Sequence, residues 1–304
     1  MKNGIIWQDV DGNDIQAHGG CIMEHDGTYY WYGENKGQDN CPGTKRIDVI
    51  GISCYTSQDL VNWKYEGLVL ESDKENPESY IHTSKVVERP KVVYNKKNKN
   101  YVMWMHIDSP DYSFAAVGVA VSKTPTGKFE LLDVIHPNCQ GANDMTVYVD
   151  KDDVAYLIHT KDWDSTLNVA RLDENYTNVD GMVVSVMIDQ FREAPAVFFE
   201  KDMYYMITSG CTGWDPNAAL YSTCPHIMGK WRIIDNPCRG ENAENTFFGQ
   251  STYVFTINGK HYLMLDHWQP YELKKSGYSI LPIEITDDHR LVINWQEEWN
   301  GIEK

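Results

Sequence analysis

One pattern recurs five times along the 304 residues, and a chain patterned this way has few folds open to it. Each copy starts at a polar residue, passes through a short apolar stretch, turns at Asp, Asn, Lys or Gly, and returns as an aromatic strand. The first copy runs from His18 to His25, turns at Asp26-Gly27 and returns through Tyr29, Tyr30, Trp31 and Tyr32. The second runs from Glu88 to Asn95 and returns from Tyr101 to Trp104. The third runs from Asp144 to Asp150, turns at Lys151, Asp152 and Asp153, and returns from Ala155 to Ile158. The fourth runs from Glu193 to Glu200, turns at Lys201-Asp202 and returns from Tyr204 to Ile207. The fifth runs from Gln250 to Ile257, turns at Asn258-Gly259 and returns from Tyr262 to Leu265. Asp-Gly and Asn-Gly supply the positive φ that two-residue hairpin turns need. Most copies carry a second strand pair ending near a Trp or Phe, namely Trp63, Phe129 and Trp231. Trp295 falls in the same outer pattern, and these residues are expected in the cores of the repeats.

The leading polar residues lie 70, 56, 49 and 57 positions apart. Four strands with their turns fill that period. The sequence therefore predicts an all-β fold, a five-bladed β-propeller with about four antiparallel strands per blade, in which residues 1–304 form a single domain. A β-sandwich also has short, regularly spaced strands, but it does not account for five in-phase copies with matching turns. No stretch of useful length carries a helical period.

The formal net charge of −17 argues against nucleic acid and against an anionic membrane surface, both of which need clustered Lys and Arg. No apolar run is long enough to span a bilayer. Met1 leads almost directly into Ile5, Ile6 and Trp7 with no charged-then-apolar leader, and the seven cysteines form no CxxC pair. The expectation is a cytoplasmic protein with reduced thiols, or a secreted one if a leader has been removed.

The first strand of each propeller blade lines the central channel, so equivalent positions form a ring. Here the ring reads His18, Glu88, Asp144, Glu193 and Gln250. Carboxylates crowded together at a funnel mouth shift one another's pKa values and mark functional sites. Paired carboxylates across a cleft are the equipment of glycoside hydrolysis: one protonates the leaving oxygen and another assists water or a nucleophile. No GxSxG elbow, HExxH pair or Gly-rich phosphate loop offers another chemistry. No cofactor is expected to be required, though carboxylates and a His around an axis could hold a structural Ca²⁺. No metal ligand is assigned.

At these positions the sequence resembles glycoside hydrolase family 43, and within it the exo-β-1,3-galactanases. The resemblance rests on Ile15–Gly20, Tyr30–Asn35, Glu88–Val92, Arg192–Ala196, Ser209–Asn217 and Gly249–Thr252, from the first blade to the fifth. It implies an inverting, exo-acting hydrolase of β-1,3-linked galactose, with an oligosaccharide or polysaccharide as its partner. It makes Glu193 the general acid and Asp144 the group that tunes and orients it. The family's usual first-blade Asp base falls here at His18. In the galactanases a fifth-blade Gln is thought to replace that base, and Gln250 matches it. Glu88 matches a carboxylate near the sugar and is the better intrinsic base, because an amide is hardly basic near neutrality. Both stay open for activating the water. Substrate contacts are expected from His18, Glu34, Trp214, Asp215 and Asn217, with Tyr112 and Trp163 lining the cleft and His106 and Asp108 at similar places. An α-L-arabinofuranosidase or β-galactofuranosidase shares these blade motifs. A non-catalytic sugar-binding propeller would account for the missing first-blade Asp, but would not require the pair Asp144 and Glu193.

Overall fold

The computed structural model describes residues 1–302, which form five small antiparallel sheets arranged as the blades of a propeller. Blade one is β1 (His18–His25), β2 (Thr28–Glu34), β3 (Gly51–Ser57) and β4 (Lys64–Glu71). Blade two is β5 (Val86–Asn95), β6 (Asn100–Asp108), β7 (Ala116–Ser122) and β8 (Glu130–Ile135). Blade three is β9 (Met145–Val149), β10 (Ala155–Lys161), β11 (Thr166–Leu172) and β12 (Val179–Val186). Blade four is β13 (Arg192–Glu200), β14 (Met203–Gly210), β15 (Leu220–Cys224) and β16 (Arg232–Asp235). Blade five departs from the four-strand expectation. A two-residue strand, β17 (Cys238–Arg239), precedes β18 (Gln250–Ile257), β19 (Lys260–His267), β20 (Gly277–Ile285) and β21 (Leu291–Asn294), and pairs in parallel with β21 on the outer edge.

The hairpin turns form at the expected residue pairs. Asp26-Gly27 joins paired His25 and Thr28 with both φ positive, as does Asn258-Gly259 between Ile257 and Lys260. Lys201-Asp202 adopts the same turn without glycine. The apolar core lies between blades rather than in one centre, in five clusters, one for each neighbouring pair of blades. Trp63, Phe129 and Trp231 are buried as expected, whereas Trp295 is only half-buried against Phe247 and His267. Between blades five and one the chain closes its own ring. The Met1 ammonium donates to the Trp299 carbonyl at 2.6 Å, Asn3 N–H to Glu297, and Tyr278 N–H to Ile5. Trp7 wedges between Trp31 and Tyr278, and Trp299 donates its indole N–H to Leu60 of the first blade. All seven cysteines are free thiols.

The innermost strands carry the feature that builds the site. In β1, β5, β13 and β18 the register slips within the first few residues, a β-bulge in each. In the first three, a residue in the left-handed region follows the ring position: Gly19 (φ 57), Arg89 (φ 52) and Ala194 (φ 53). A bulge turns its residues away from strict alternation and re-aims side chains at a sheet rim. Only Gly19 is free of strain there, and it is needed for space as well, since a Cβ would sit 2.2 Å from Glu34 Oε1.

Candidate active site

At one mouth of the channel lies a cavity of about 270 Å³ lined by Glu34, Lys36, Glu88, Arg89, Tyr112, Asp144, Glu193, Gly213, Trp214, Gln250 and Trp268. Four of the five ring residues therefore converge. His18 does not. It is fully buried, its Nδ1 3.2 Å from Asp266 Oδ1 and its Nε2 3.0 Å from the Tyr278 hydroxyl, with its ring stacked on Tyr278. The αL turn at Gly19 makes way for Glu34, from the end of β2, which takes the place expected for His18.

Arg89 organises the cavity. Its Nε donates to Asp144 Oδ1 at 2.7 Å, its Nη2 to Gln250 Oε1 at 2.7 Å and its Nη1 to the Ser251 carbonyl, while its backbone N–H donates to Glu34 Oε1. Burial works against the guanidinium charge, but Asp144 and Glu193 outweigh it and its pKa rises. Beneath it Lys91, fully buried, donates to the Gly19 carbonyl at 2.6 Å and to the Arg89 carbonyl, tying two bulges together. Burial, with Arg89 close by, lowers Lys91 to about 8. With a guanidinium and an ammonium already among these carboxylates, the ring does not suit a calcium ion, which takes six to eight oxygen ligands.

Glu193 and Glu88 are pushed in opposite directions. Burial, then the negative charge of Asp144, raises Glu193 to about 8 against the opposing pull of Arg89. Its Oε1 accepts from Gln250 Nε2 at 2.9 Å. Burial would raise Glu88 too, but the His106 imidazolium and Lys36 outweigh it and hold Glu88 down at about 2. Tyr112 donates its hydroxyl to Glu88 Oε1 at 3.0 Å, and His106 Nδ1 lies 3.6 Å from Glu88 Oε2. Asp108 anchors the other nitrogen of His106 at 2.9 Å, and although burial opposes it, Asp108 and Glu88 together raise His106 to about 9. Among the four carboxyls of the cavity, Glu193 is thus set to hold its proton at neutral pH while Glu88 is ionised, the pairing that acid-assisted hydrolysis needs.

Asp144 accepts the Ala194 backbone N–H at 2.8 Å, which fixes it beside Glu193. Gln250 is tied at both ends of its amide. Oε1 accepts from Arg89 and from the Trp268 indole at 2.9 Å, and Nε2 donates to Glu193 and to Ser209 at 3.1 Å. Trp268 meets Trp214 edge-on at 5.3 Å, making an aromatic corner. Lys36 pairs with Glu34 at 2.6 Å and lies over the Trp268 ring.

Three further expected contacts do not line this cavity. Asn217 spends its side chain on its own loop, bonding the backbone of Gly210 at both ends and Thr212 Oγ1. Asp215 is exposed on that loop, and Trp163 stands 75% exposed in the β10–β11 turn. The residue after Trp163 matters instead. Asp164 accepts from Thr160 Oγ1 and, with Cys211, comes within 4.8 Å of Glu193, adding a second negative neighbour to the acid. Arg89, Lys36, Asp164 and Trp268 were all missed from the sequence. Trp268 was within reach, since it follows an inner aromatic strand as Glu34 does.

The sequence matches glycosyl hydrolases family 43 over residues 21–291. No curated protein matches it. Among solved structures, a family 43 β-1,3-galactosidase bound to galactodeoxynojirimycin is similar at 34% identity and a TM-score of 0.92, over 99% of this chain and 100% of that one. The exo-β-1,3-galactanase of Phanerochaete chrysosporium, solved with β-1,3-galactotriose, is 33% identical with a TM-score of 0.88, over 96% of this chain and 66% of that one. The exo-β-1,3-galactanase of Clostridium thermocellum is 32% identical with a TM-score of 0.86, over 96% of this chain and 64% of that one.

Proposed function

The chain belongs to glycosyl hydrolases family 43, and from that premise we propose that it removes galactose from the ends of β-1,3-linked galactans or their oligosaccharides, with inversion at the anomeric carbon. The observation that carries the reading is the split between Glu193 at about 8 and Glu88 at about 2 in one small cavity, among structural neighbours that act on β-1,3-galactosides. Glu193 is the acid: it is protonated at neutral pH and donates its proton to the departing glycosidic oxygen. Asp144, held by Arg89 and by the Ala194 N–H, orients Glu193 and keeps its proton on. Two groups compete for the attacking water. Glu88 is ionised and lines the cavity, but its charge is already met by His106, Lys36 and the Tyr112 hydroxyl, and its low pKa makes it a weak base. Gln250 touches the acid directly, but its carbonyl oxygen already accepts from Arg89 and Trp268 and its amide donates to Glu193 and Ser209, so it holds a water only by giving up one of these bonds. Trp214 and Trp268 form the stacking wall for the sugar ring, and Glu34 and Tyr112 offer polar contacts to its hydroxyls.

The test is to incubate the protein with β-1,3-galactobiose and galactotriose beside aryl α-L-arabinofuranoside and β-galactofuranoside, following the anomer released by NMR. Release of α-galactose from the β-1,3 substrates, lost in Glu193→Gln, supports the reading. Release from the furanosides alone overturns the substrate, and release of β-galactose overturns the inversion. Glu88→Gln and Gln250→Ala then separate the two water partners, because azide replaces a lost base and restores turnover only in the variant that lacks it.

A further inference from the structure

A second groove, of about 230 Å³, adjoins the catalytic cavity and shares Glu34, Lys36, Glu88, Tyr112 and Trp214 with it. It lies between the β2–β3 connection and the start of β5, with Ile47, Val86 and Val87 buried in its wall. Its charge is opposite to that of the molecule. The chain carries 44 acidic against 27 basic residues, yet the groove is lined by four cations, Lys36, Lys45, Arg46 and Lys85, and only two carboxylates, Glu34 and Glu88.

Two of these cations are spoken for. Lys36 pairs with Glu34, and Arg46 Nη1 lies 3.3 Å from Asp48. Arg46 Nη2 also donates to the Thr83 and Lys85 carbonyls, holding the segment that carries Lys85 against the loop that carries Lys45. Lys45 and Lys85 have no carboxylate partner among the described residues. Lys45 is nonetheless held in place, its ammonium 5.1 Å from the centre of the Tyr271 ring. A neutral galactan offers two unpaired ammonium groups only hydroxyl and ether oxygens. An anionic sugar does, because ammonium-to-carboxylate or ammonium-to-sulfate hydrogen bonds are the strong, charge-assisted kind. In a molecule of net charge −17, a local basic patch beside the cavity favours an anion at that place.

We propose that this groove receives an anionic sugar residue, carrying a carboxylate or a sulfate ester, joined to the galactose in the catalytic cavity. This rests on the galactosidase reading of that cavity. The test compares three substrates: β-1,3-galactotriose, the same trisaccharide bearing one glucuronate branch, and the same trisaccharide bearing one sulfate ester. Each is assayed with the unaltered protein and with the double variant Lys45→Gln/Lys85→Gln. The variant is expected to lose about tenfold in kcat/KM on a charged substrate and nothing on the neutral one, since two charge-assisted contacts are removed. Salt at about 0.5 M is expected to reproduce that loss in the unaltered protein by screening. The arm that responds identifies the anion. Equal losses on all three substrates, or none on either charged one, overturn the proposal. If the neutral trisaccharide is not cleaved at all, the galactosidase reading falls separately. The groove is then read by calorimetric titration with glucuronosyl-galactose and with galactose 6-sulfate. Weaker binding of either by the double variant sustains the anion site, and unchanged or undetectable binding of both refutes it.

Discussion

Replacing Asp144 by Asn is the sharpest test of how the acid is kept protonated. Glu193 sits at about 8, through burial first and the Asp144 charge second, with Arg89 pulling the other way. The variant removes the negative neighbour and also frees Arg89, whose Nε bonds Asp144 at 2.7 Å, to act on Glu193. Both changes lower the acid's pKa, and loss of one close like charge is worth about 1.5 units. A group moved from about 8 to ~6.5 stays over ~90% protonated at pH ~5.5, but at pH ~8.5 its protonated fraction falls roughly 20-fold. The basic limb of the kcat/KM profile on β-1,3-galactobiose is therefore expected to move to lower pH, so that the variant's deficit widens steadily as pH rises. A loss of hydrogen-bonded orientation at Ala194 adds a pH-independent deficit beneath it. The control is dinitrophenyl β-galactoside, whose leaving group needs no proton, and on it the limb is expected to flatten in both proteins. A basic limb that stays in place in Asp144→Asn, or one that persists unchanged on the dinitrophenyl substrate, would refute the argument that this limb reports Glu193 held up by Asp144.

Three other outcomes follow from the same geometry. Glu193 takes up its proton more tightly in the fold (about 8) than unfolded (4.5), so its stabilising contribution is complete below pH 4.5 and is lost as pH rises toward 8. Glu193→Gln, neutral throughout, is expected to melt ~4 °C above the unaltered protein at pH ~9, about 2 kcal/mol after allowing for partial exposure, and level with it near pH ~4.5 in calorimetry. Gly19→Ala puts a Cβ 2.2 Å from Glu34 Oε1 at φ 57, and is expected to cost ~2–3 kcal/mol in denaturant unfolding and to raise KM as Glu34 is displaced. Trp268→Phe keeps an aromatic ring against Trp214 but removes the indole N–H from Gln250, and is expected to lower kcat about tenfold with little change in stability.

Much of the fold was legible because each level of the sequence points the same way: period, turn residues and outer aromatic residues all repeat in phase. The ring positions Glu88, Asp144, Glu193 and Gln250 were legible for the same reason, since equivalent strand starts must converge on the axis. The parallel strand β17 was not, because a two-residue pairing leaves no periodic trace. Nor was the fate of Asn217, whose side chain closes its own loop, a local contact that competes with any ligand for the same amide.

The failures at His18 and Arg89 have one cause. Strict alternation puts neighbouring residues of a strand on opposite faces, so a ring residue predicts that the residue after it faces away. In β5 the bulge breaks that rule. Arg89 takes a positive φ, and both Glu88 and Arg89 reach the cavity. In β1 the same bulge falls on Gly19, which has no side chain to deliver, and the space is filled by Glu34 from the neighbouring strand while His18 turns into the interior. In β13 it falls on Ala194, whose backbone N–H rather than its side chain does the work, by holding Asp144. One backbone irregularity repeated in three blades thus yields a cation, a vacancy and a hydrogen-bond donor, according to the residue that occupies it. A left-handed Arg or Ala is strained, and no propensity in the sequence announces it. The strain is offset by the bonds it makes available: four from Arg89 to Asp144, Gln250, Ser251 and Glu34, and one from Ala194. Arg89→Gly would relax the backbone at that position and leave Asp144 and Glu193 without their shared counter-charge, while Glu34 keeps Lys36, so the electrostatics that fix the acid depend on retaining the strained residue.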